Sequence, residues 1–197
     1  LIFMLIGFLS GISAGAGVIV ARFFGAGDEK NLQRAVHTTV AFGLVAGVLM
    51  TGVGVALSPQ ILRWMDTPES VMRESVTYLQ IYFAGSLGFV MYNVLVGILQ
   101  AVGDSRHPLY YLIVSSVINL VLDLLFITGF HTGVGGAAVA TVISQIVSAL
   151  LCFWQLLRTK ESYGLKIRKI RFDKGILVQI IKIGLPSGVQ NSIIAFA

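Results

Sequence analysis

The chain has 197 residues, of which 56% are hydrophobic and 12% charged, with a formal net charge of +5. Soluble domains carry roughly 25% charged residues, and with a mean hydropathy of +0.87 most of this chain does not face water. That excludes a soluble enzyme, a disordered protein and a secreted disulfide scaffold; the one cysteine, Cys152, has no partner for a bridge within the chain.

A helix needs about 20 mostly apolar residues to cross a bilayer. Five runs reach that length or nearly so: Leu1–Val20, Val36–Leu57, Val76–Val102, Leu109–Phe130 and Gly136–Leu157. A sixth starts near Ile183. Lipid offers the backbone no hydrogen-bond partner, so each run is expected as a helix. None has the short length and strict alternation of a β-barrel strand. The expected fold is an all-α polytopic membrane protein with five complete transmembrane helices and the start of a sixth. The chain opens inside one apolar run and ends inside another, which reads as an internal piece of a longer membrane protein. Its first charge is Arg22, so the opening run is not expected to be a signal peptide with a basic leader.

The first run carries Gly7, Gly11 and Gly15 at four-residue spacing, and the second Gly43 and Gly47. Small residues at this spacing let helix backbones approach. Gly25-Ala26-Gly27-Asp28 and Ala101-Val102-Gly103-Asp104 share a pattern in which glycine closes one helix and aspartate caps the next. Ser58-Pro59 and Thr67-Pro68-Glu69 are expected to break the chain between the second and third runs.

The bases set the orientation. Arg22, Lys30 and Arg34 follow the first run, Arg106 the third, and Arg158, Lys160, Lys166, Arg168, Lys169, Arg171, Lys174 and Lys182 the fifth. Only Arg63 and Arg73 fall on the other side. The positive-inside rule puts the loops after residues 21, 103 and 158 in the cytoplasm. Ile167, Ile170, Phe172, Ile176 and Leu177 give the basic segment 158–182 an apolar side, which suits a linker along the inner membrane surface. Topology accounts for the basicity, so no nucleic-acid partner is expected.

No phosphate-binding G-x-x-x-x-G-K-[ST] occurs. Gly133-Val134-Gly135-Gly136-Ala137-Ala138 fits G-x-G-x-x-A but joins two spans, and reads as a tight turn. His37, His107 and His131 are scattered, so no metal site is legible. No nucleophile–base pair is present, and neither an enzyme nor a cofactor is expected.

Asp123 is the only charged side chain deep in a run. Such a group costs about 2.5–3.5 kcal/mol at a helix centre on insertion scales, and calls for a partner or a use. Asn119 lies four residues earlier, on the same helix face. Asp123 and Thr141 lie at similar distances either side of a turn near Gly133, so Asn119, Asp123 and Thr141 are expected to converge. A carboxylate among neutral oxygens suits a hard cation such as sodium; a desolvated one instead holds a proton. Beyond sodium at Asp123 no metal is expected. Met91, Tyr92 and Asn93 are candidates to line a cavity for flat cations, in competition with packing roles. Asn93 and Gln145 read first as interhelical glue, and Tyr78, Tyr82 and Tyr110 as interface anchors.

Four stretches resemble the multidrug and toxic compound extrusion (MATE) transporters. They are Gly15 to Asp28 (GAGVIVARFFGAGD), Gly97 to Pro108 (GILQAVGDSRHP), Asn119-Leu120-Val121-Leu122-Asp123 with Gly133 to Thr141 (GVGGAAVAT), and Ile183-Gly184-Leu185-Pro186. The resemblance implies a twelve-helix fold of two lobes, with these five runs as its second to sixth helices. Residues 1–157 would then belong to the amino-terminal lobe, 158–182 to the linker, and 183–197 to the first helix of the other lobe. It implies a plasma- or inner-membrane antiporter that exports cationic or amphipathic small molecules against sodium or protons, surrounded by lipid and working as a monomer when full length. Asn119, Asp123 and Thr141 match the family's cation-site residues; the family's first-helix carboxylate would precede Leu1. The competing readings are a lipid-linked sugar flippase, which carries more cations inside the bundle, and a non-transporting receptor or scaffold.

Overall fold

The computed structural model describes residues 2–130 and 133–196, with side chains described for 11–130, 133–191 and Ile193. Leu1, His131 and Ala197 lie outside the described residues, as does the side chain of Gly7. Among the described residues seven α-helices run in order: α1 (Ile2–Gly25), α2 (Glu29–Trp64), α3 (Glu69–Ala84), α4 (Ser86–Ala101), α5 (Arg106–Leu124), α6 (Gly133–Arg158) and α7 (Lys174–Phe196). A π turn, Leu125–Gly129, extends α5, and a 3-10 turn, Ile167–Lys169, interrupts the segment before α7. Among the described residues there is no strand.

The helices stop where the sequence supplies a stop. Gly27 (φ +66°) and Gly103 (φ +87°) take the left-handed conformation. The next N–H reaches back five residues in each case, Asp28 to the Phe23 carbonyl at 3.1 Å and Asp104 to that of Leu99 at 2.9 Å. This closes the open carbonyls at the end of α1 and α4 in the same way. Each aspartate then caps the following helix, with Asp28 Oδ1 accepting from Asn31 N at 3.1 Å and Asp104 Oδ1 from His107 N at 3.2 Å. The paired sequence pattern is thus a paired structural device. The Asn31 amides, backbone first, hold the Asp28 carboxyl below its ordinary value.

Three boundaries differ from expectation. Ser58-Pro59 does not end the second run: α2 continues through Pro59 to Trp64, with the Ser58 hydroxyl bonded to the Gly54 carbonyl at 2.6 Å one turn back. The break comes at Asp66 (φ 51°) and Pro68. The third run is two helices bent by 42° at Gly85. The last helix begins at Lys174 instead of near Ile183, with Asp173 Oδ1 accepting from Ile176 N at 3.1 Å as its cap.

Among the described residues three helices are long and apolar enough to cross a membrane: α2, α5 with its π turn, and α6. The bent pair α3–α4 makes a fourth if it is one span. Four of the five expected crossings are met on that basis; the first, Leu1–Val20, lies on α1, a helix of 24 residues, and half of it falls outside the residues whose side chains are described.

The chain forms two compact units, residues 1–43, 93–108 and 151–197 in one, and 44–92 and 109–150 in the other. In the first, α1 packs on α7 backbone to backbone. A Cβ on Gly15 would sit 2.5 Å from the Gly184 nitrogen, and one on Gly11 2.1 Å from that of Gly188. The core around this crossing holds Ile19, Val36, Leu95, Leu99, Leu156 and Ile180. The 159–173 segment is pinned to α2: Lys166 N donates to His37 Nε2 at 3.0 Å, and His37 Nδ1 lies 2.6 Å from the Gln33 carbonyl. Asp173 N donates to Thr38 Oγ1 at 3.1 Å.

In the second unit Phe83 is fully buried. A Cβ on Gly54 would lie 2.2 Å from its ring, and one on Gly85 2.4 Å from the Val142 side chain. Gly47 meets Leu87 in the same fashion, so Gly11, Gly15 and Gly47 are packing glycines.

Gly15→Leu tests the crossing. The new side chain meets backbone, which does not give way, so the substitution is expected to cost on the order of 1–3 kcal/mol. It would show as a lower thermal midpoint of the purified protein; an unchanged midpoint would contradict the contact.

Candidate functional site

Along α5 and its π turn the buried and half-buried positions are Pro108, Tyr111, Ser115, Ile118, Asn119, Leu122, Asp123 and Phe126. They recur every three or four residues and form one stripe. The rest of the helix shows apolar side chains such as Leu112, Val117, Leu120 and Leu124 to its surroundings. Asn119 and Asp123 therefore lie on the inward stripe, one turn apart. Asn119 Nδ2 and Asp123 Oδ1 are buried and have no hydrogen-bond partner.

On α6, Thr141 is half-buried and its hydroxyl donates to the Ala137 carbonyl at 3.0 Å. Its proton is committed, so the oxygen has only acceptor capacity left to offer. One turn further on, Gln145 Oε1 is buried without a partner, as is Thr51 Oγ1 on α2. Asn119, Asp123, Thr141, Gln145 and Thr51 all belong to the second unit. Thr39 and Gln33, which carry the other buried unpartnered atoms of the described residues, belong to the first.

An unmade hydrogen bond on a buried polar group costs about 1–3 kcal/mol, and more on a charged one. Thr51, Asn119, Asp123 and Gln145 each therefore carry an unsatisfied atom in the second unit. What would satisfy each follows from its chemistry. The Asp123, Gln145 and Thr51 oxygens are hard donors to a cation, whereas Asn119 Nδ2 is an N–H group that calls for an acceptor. Asp123 is the one carboxylate of the four, and among the described residues no three His, Cys, Asp or Glu side chains come together. That matches a monovalent cation or a proton better than a divalent ion.

Sequence reasoning put Asn119 and Asp123 in the right register and chose Thr141 for its depth. It read Gln145 as glue and passed over Thr51. A threonine or glutamine in an apolar run carries no mark of whether its oxygen finds a partner. The π turn immediately after Leu124 was also missed. Its ring closes from Phe130 N to the Leu125 carbonyl at 3.1 Å, and the Thr128 hydroxyl bonds the Leu124 carbonyl. Such turns insert an extra residue into a helix and occur often at functional sites. The three residues considered for a cavity wall diverge: Met91 is 7% exposed in the core, while Tyr92 and Asn93 are half-buried and engaged by neighbours.

Asp123→Asn is expected to raise the thermal midpoint in sodium-free, alkaline buffer, because it removes a buried charge without a partner. It is also expected to abolish any rise that sodium or acidification gives the wild type. A variant less stable than wild type in that buffer would mean that Asp123 has a structural partner.

Comparison with known proteins places this geometry. The MatE family model matches residues 1–125. Probable multidrug resistance protein YoeA of Bacillus subtilis (strain 168) is 33% identical over all of this chain and 44% of its own length. Multidrug export protein MepA of Staphylococcus saprophyticus is 27% identical over 96% of this chain and 42% of its own. Among solved structures, the inward-facing conformation of a multidrug resistance MATE family transporter of the MOP superfamily superposes with a TM-score of 0.89. Its identity is 28%, over 99% of this chain and 45% of that one. The chain spans less than half the length of these relatives.

Proposed function

The chain belongs to the MatE family, and from that membership we propose that it is part of a cation-coupled antiporter exporting cationic or amphipathic compounds. Its apolar helices and its family make it a multi-pass membrane protein. The observation that carries the coupling role is the buried, unpartnered Asp123 Oδ1. Asp123 is the cation seat, sodium or a proton, and Asn119 and Thr141 contribute neutral oxygens to it. The substrate path lies near mid-membrane, as transporter architecture generally places it. The basic loops, with the 159–173 segment among them, face the cytoplasm.

Coupling requires that ion and substrate favour different states of the bundle. A carboxylate that lacks an internal partner is well suited to this. Its free energy depends on whether the ion is present, so ion binding shifts whichever state encloses it. A carboxylate already locked in a salt bridge would respond far less.

The test is export of a cationic dye by the full-length protein in proteoliposomes, driven by a sodium or a proton gradient. Gradient-driven export is expected in wild type and lost in Asp123→Asn. Asn119→Ala and Thr141→Ala are each expected to raise the half-saturating ion concentration about tenfold, which corresponds to about 1.4 kcal/mol for one lost ligand oxygen. A folded wild type that ignores both gradients would sink the antiporter reading. A flippase or a scaffold would then stand in its place.

A further inference from the structure

The first compact unit contains a cavity of about 840 Å³ between the start of α2 and the 159–173 segment. Its lining residues all belong to the first unit, and Asp123 to the second. Lys30 and Arg34 line it from α2, and Lys160, Lys166, Arg168, Lys169 and Arg171 from the segment. Against these seven bases stand three carboxylates, Glu29, Glu161 and Asp173. One pair is satisfied internally, Arg34 with Asp173 at 2.8 Å. Among the described residues the other six bases make no side-chain ion pair or hydrogen bond, and all six are exposed.

The cavity wall is built, not draped. His37 is 3% exposed and lines it, with both ring nitrogens engaged. The assignment that uses both contacts has Nδ1–H donating to the Gln33 carbonyl and Nε2 accepting from Lys166 N. Gln33 Nε2 donates to the Gly164 carbonyl at 3.2 Å, and Thr38, fully buried, accepts from Asp173 N. Leu165 is buried beneath the segment. The fold thus fixes the backbone that carries the like charges, although their mutual repulsion opposes bringing them together. An anion removes that cost.

The neighbouring side chains say which anion source fits. Ile167 is 60% and Phe172 46% exposed, interleaved with Arg168, Lys169 and Arg171. At the same end of this unit, Arg158 lies over the exposed Trp154 ring at 5.0 Å. Arg22 lies over Phe23 at 4.8 Å. Aromatic rings paired with bases at helix ends are the pattern of a membrane interface, where the ring enters the headgroup region and the cation reaches out. A soluble phosphate compound would give Ile167 and Phe172 nothing to meet. An anionic lipid gives the bases a phosphate and gives these two side chains the start of its acyl chains.

We propose that this basic cavity binds the phosphate of an anionic phospholipid headgroup, with Ile167 and Phe172 seated in the adjoining acyl region. The lipid holds the 159–173 segment on the leaflet and neutralises the charge that the fold has gathered there. The proposal is independent of ion coupling at Asp123.

The test uses the full-length protein in nanodiscs of phosphatidylcholine with or without phosphatidylglycerol, and native mass spectrometry of the lipid it retains. Preferential retention of phosphatidylglycerol that weakens with salt is expected. The triple variant Arg168→Gln, Lys169→Gln, Arg171→Gln should lose roughly a hundredfold in that preference, at about fivefold per base. These side chains bond to nothing internally, so the variant should keep the wild-type helical circular dichroism. Arg63→Gln with Arg73→Gln, on the far-side loop, should change nothing. Ile167→Ser with Phe172→Ser should weaken retention while leaving the bases in place. The proposal is overturned if the triple variant keeps the wild-type preference, or if Arg63→Gln with Arg73→Gln lowers it equally. It is also overturned if inorganic phosphate displaces the lipid fully and Ile167→Ser with Phe172→Ser has no effect, because the site would then serve a free phosphate compound.

Discussion

A peptide group in hydrocarbon has no water to bond to, so the chain must satisfy it from within. Every element follows from that demand. The described segments of regular structure are helices, and the ends of α1 and α4 are closed by a glycine and capped by an aspartate. Side-chain hydroxyls obey the same rule. Ser58, Ser86, Ser115, Thr141, Ser144 and Ser148 each donate to a carbonyl three or four residues back, at 2.6 to 3.2 Å. Hydrogen bonding so complete in one unit makes its exceptions informative. Thr51, Asn119, Asp123 and Gln145 break the rule there. Six hydroxyls bonded locally set off the one carboxylate oxygen left bare, Asp123 Oδ1.

The same demand explains what was legible in the sequence. Apolar runs, basic loops and the glycine–aspartate pairs are local features, and the structure has a helix at each run. Asn119 and Asp123 were readable because spacing on one helix fixes a shared face. The bend at Gly85 was not readable: the Val142 side chain takes the place a Cβ would fill there, and that is a contact between helices distant in sequence. Pro59 misled because proline predicts a break, yet α2 runs through it to Trp64, with the Ser58 hydroxyl bonded one turn back to the Gly54 carbonyl. The π turn has no composition of its own. Thr51 and Gln145 acquire meaning only when the partners around them have been searched and found missing.

The basic segment shows the gap between composition and placement most clearly. Its charge and its apolar residues were visible, and suggested a strip lying on a membrane. The structure divides those residues. Ile176 is buried in the core, while Ile167 and Phe172 face outward. Buried His37 and Thr38 tie the backbone to α2 and shape the bases into a cavity. Nothing in the spacing of His37 to Lys166 announces that contact.

We propose the Asp123 carboxylate as the seat of the coupling cation, and difference infrared spectroscopy of the full-length protein reads that group directly. Titration with sodium, or acidification, should perturb a carboxylate band in wild type, and the change should be absent from Asp123→Asn. Spectra that do not respond to either ion, or that respond identically in the variant, would place the coupling cation elsewhere.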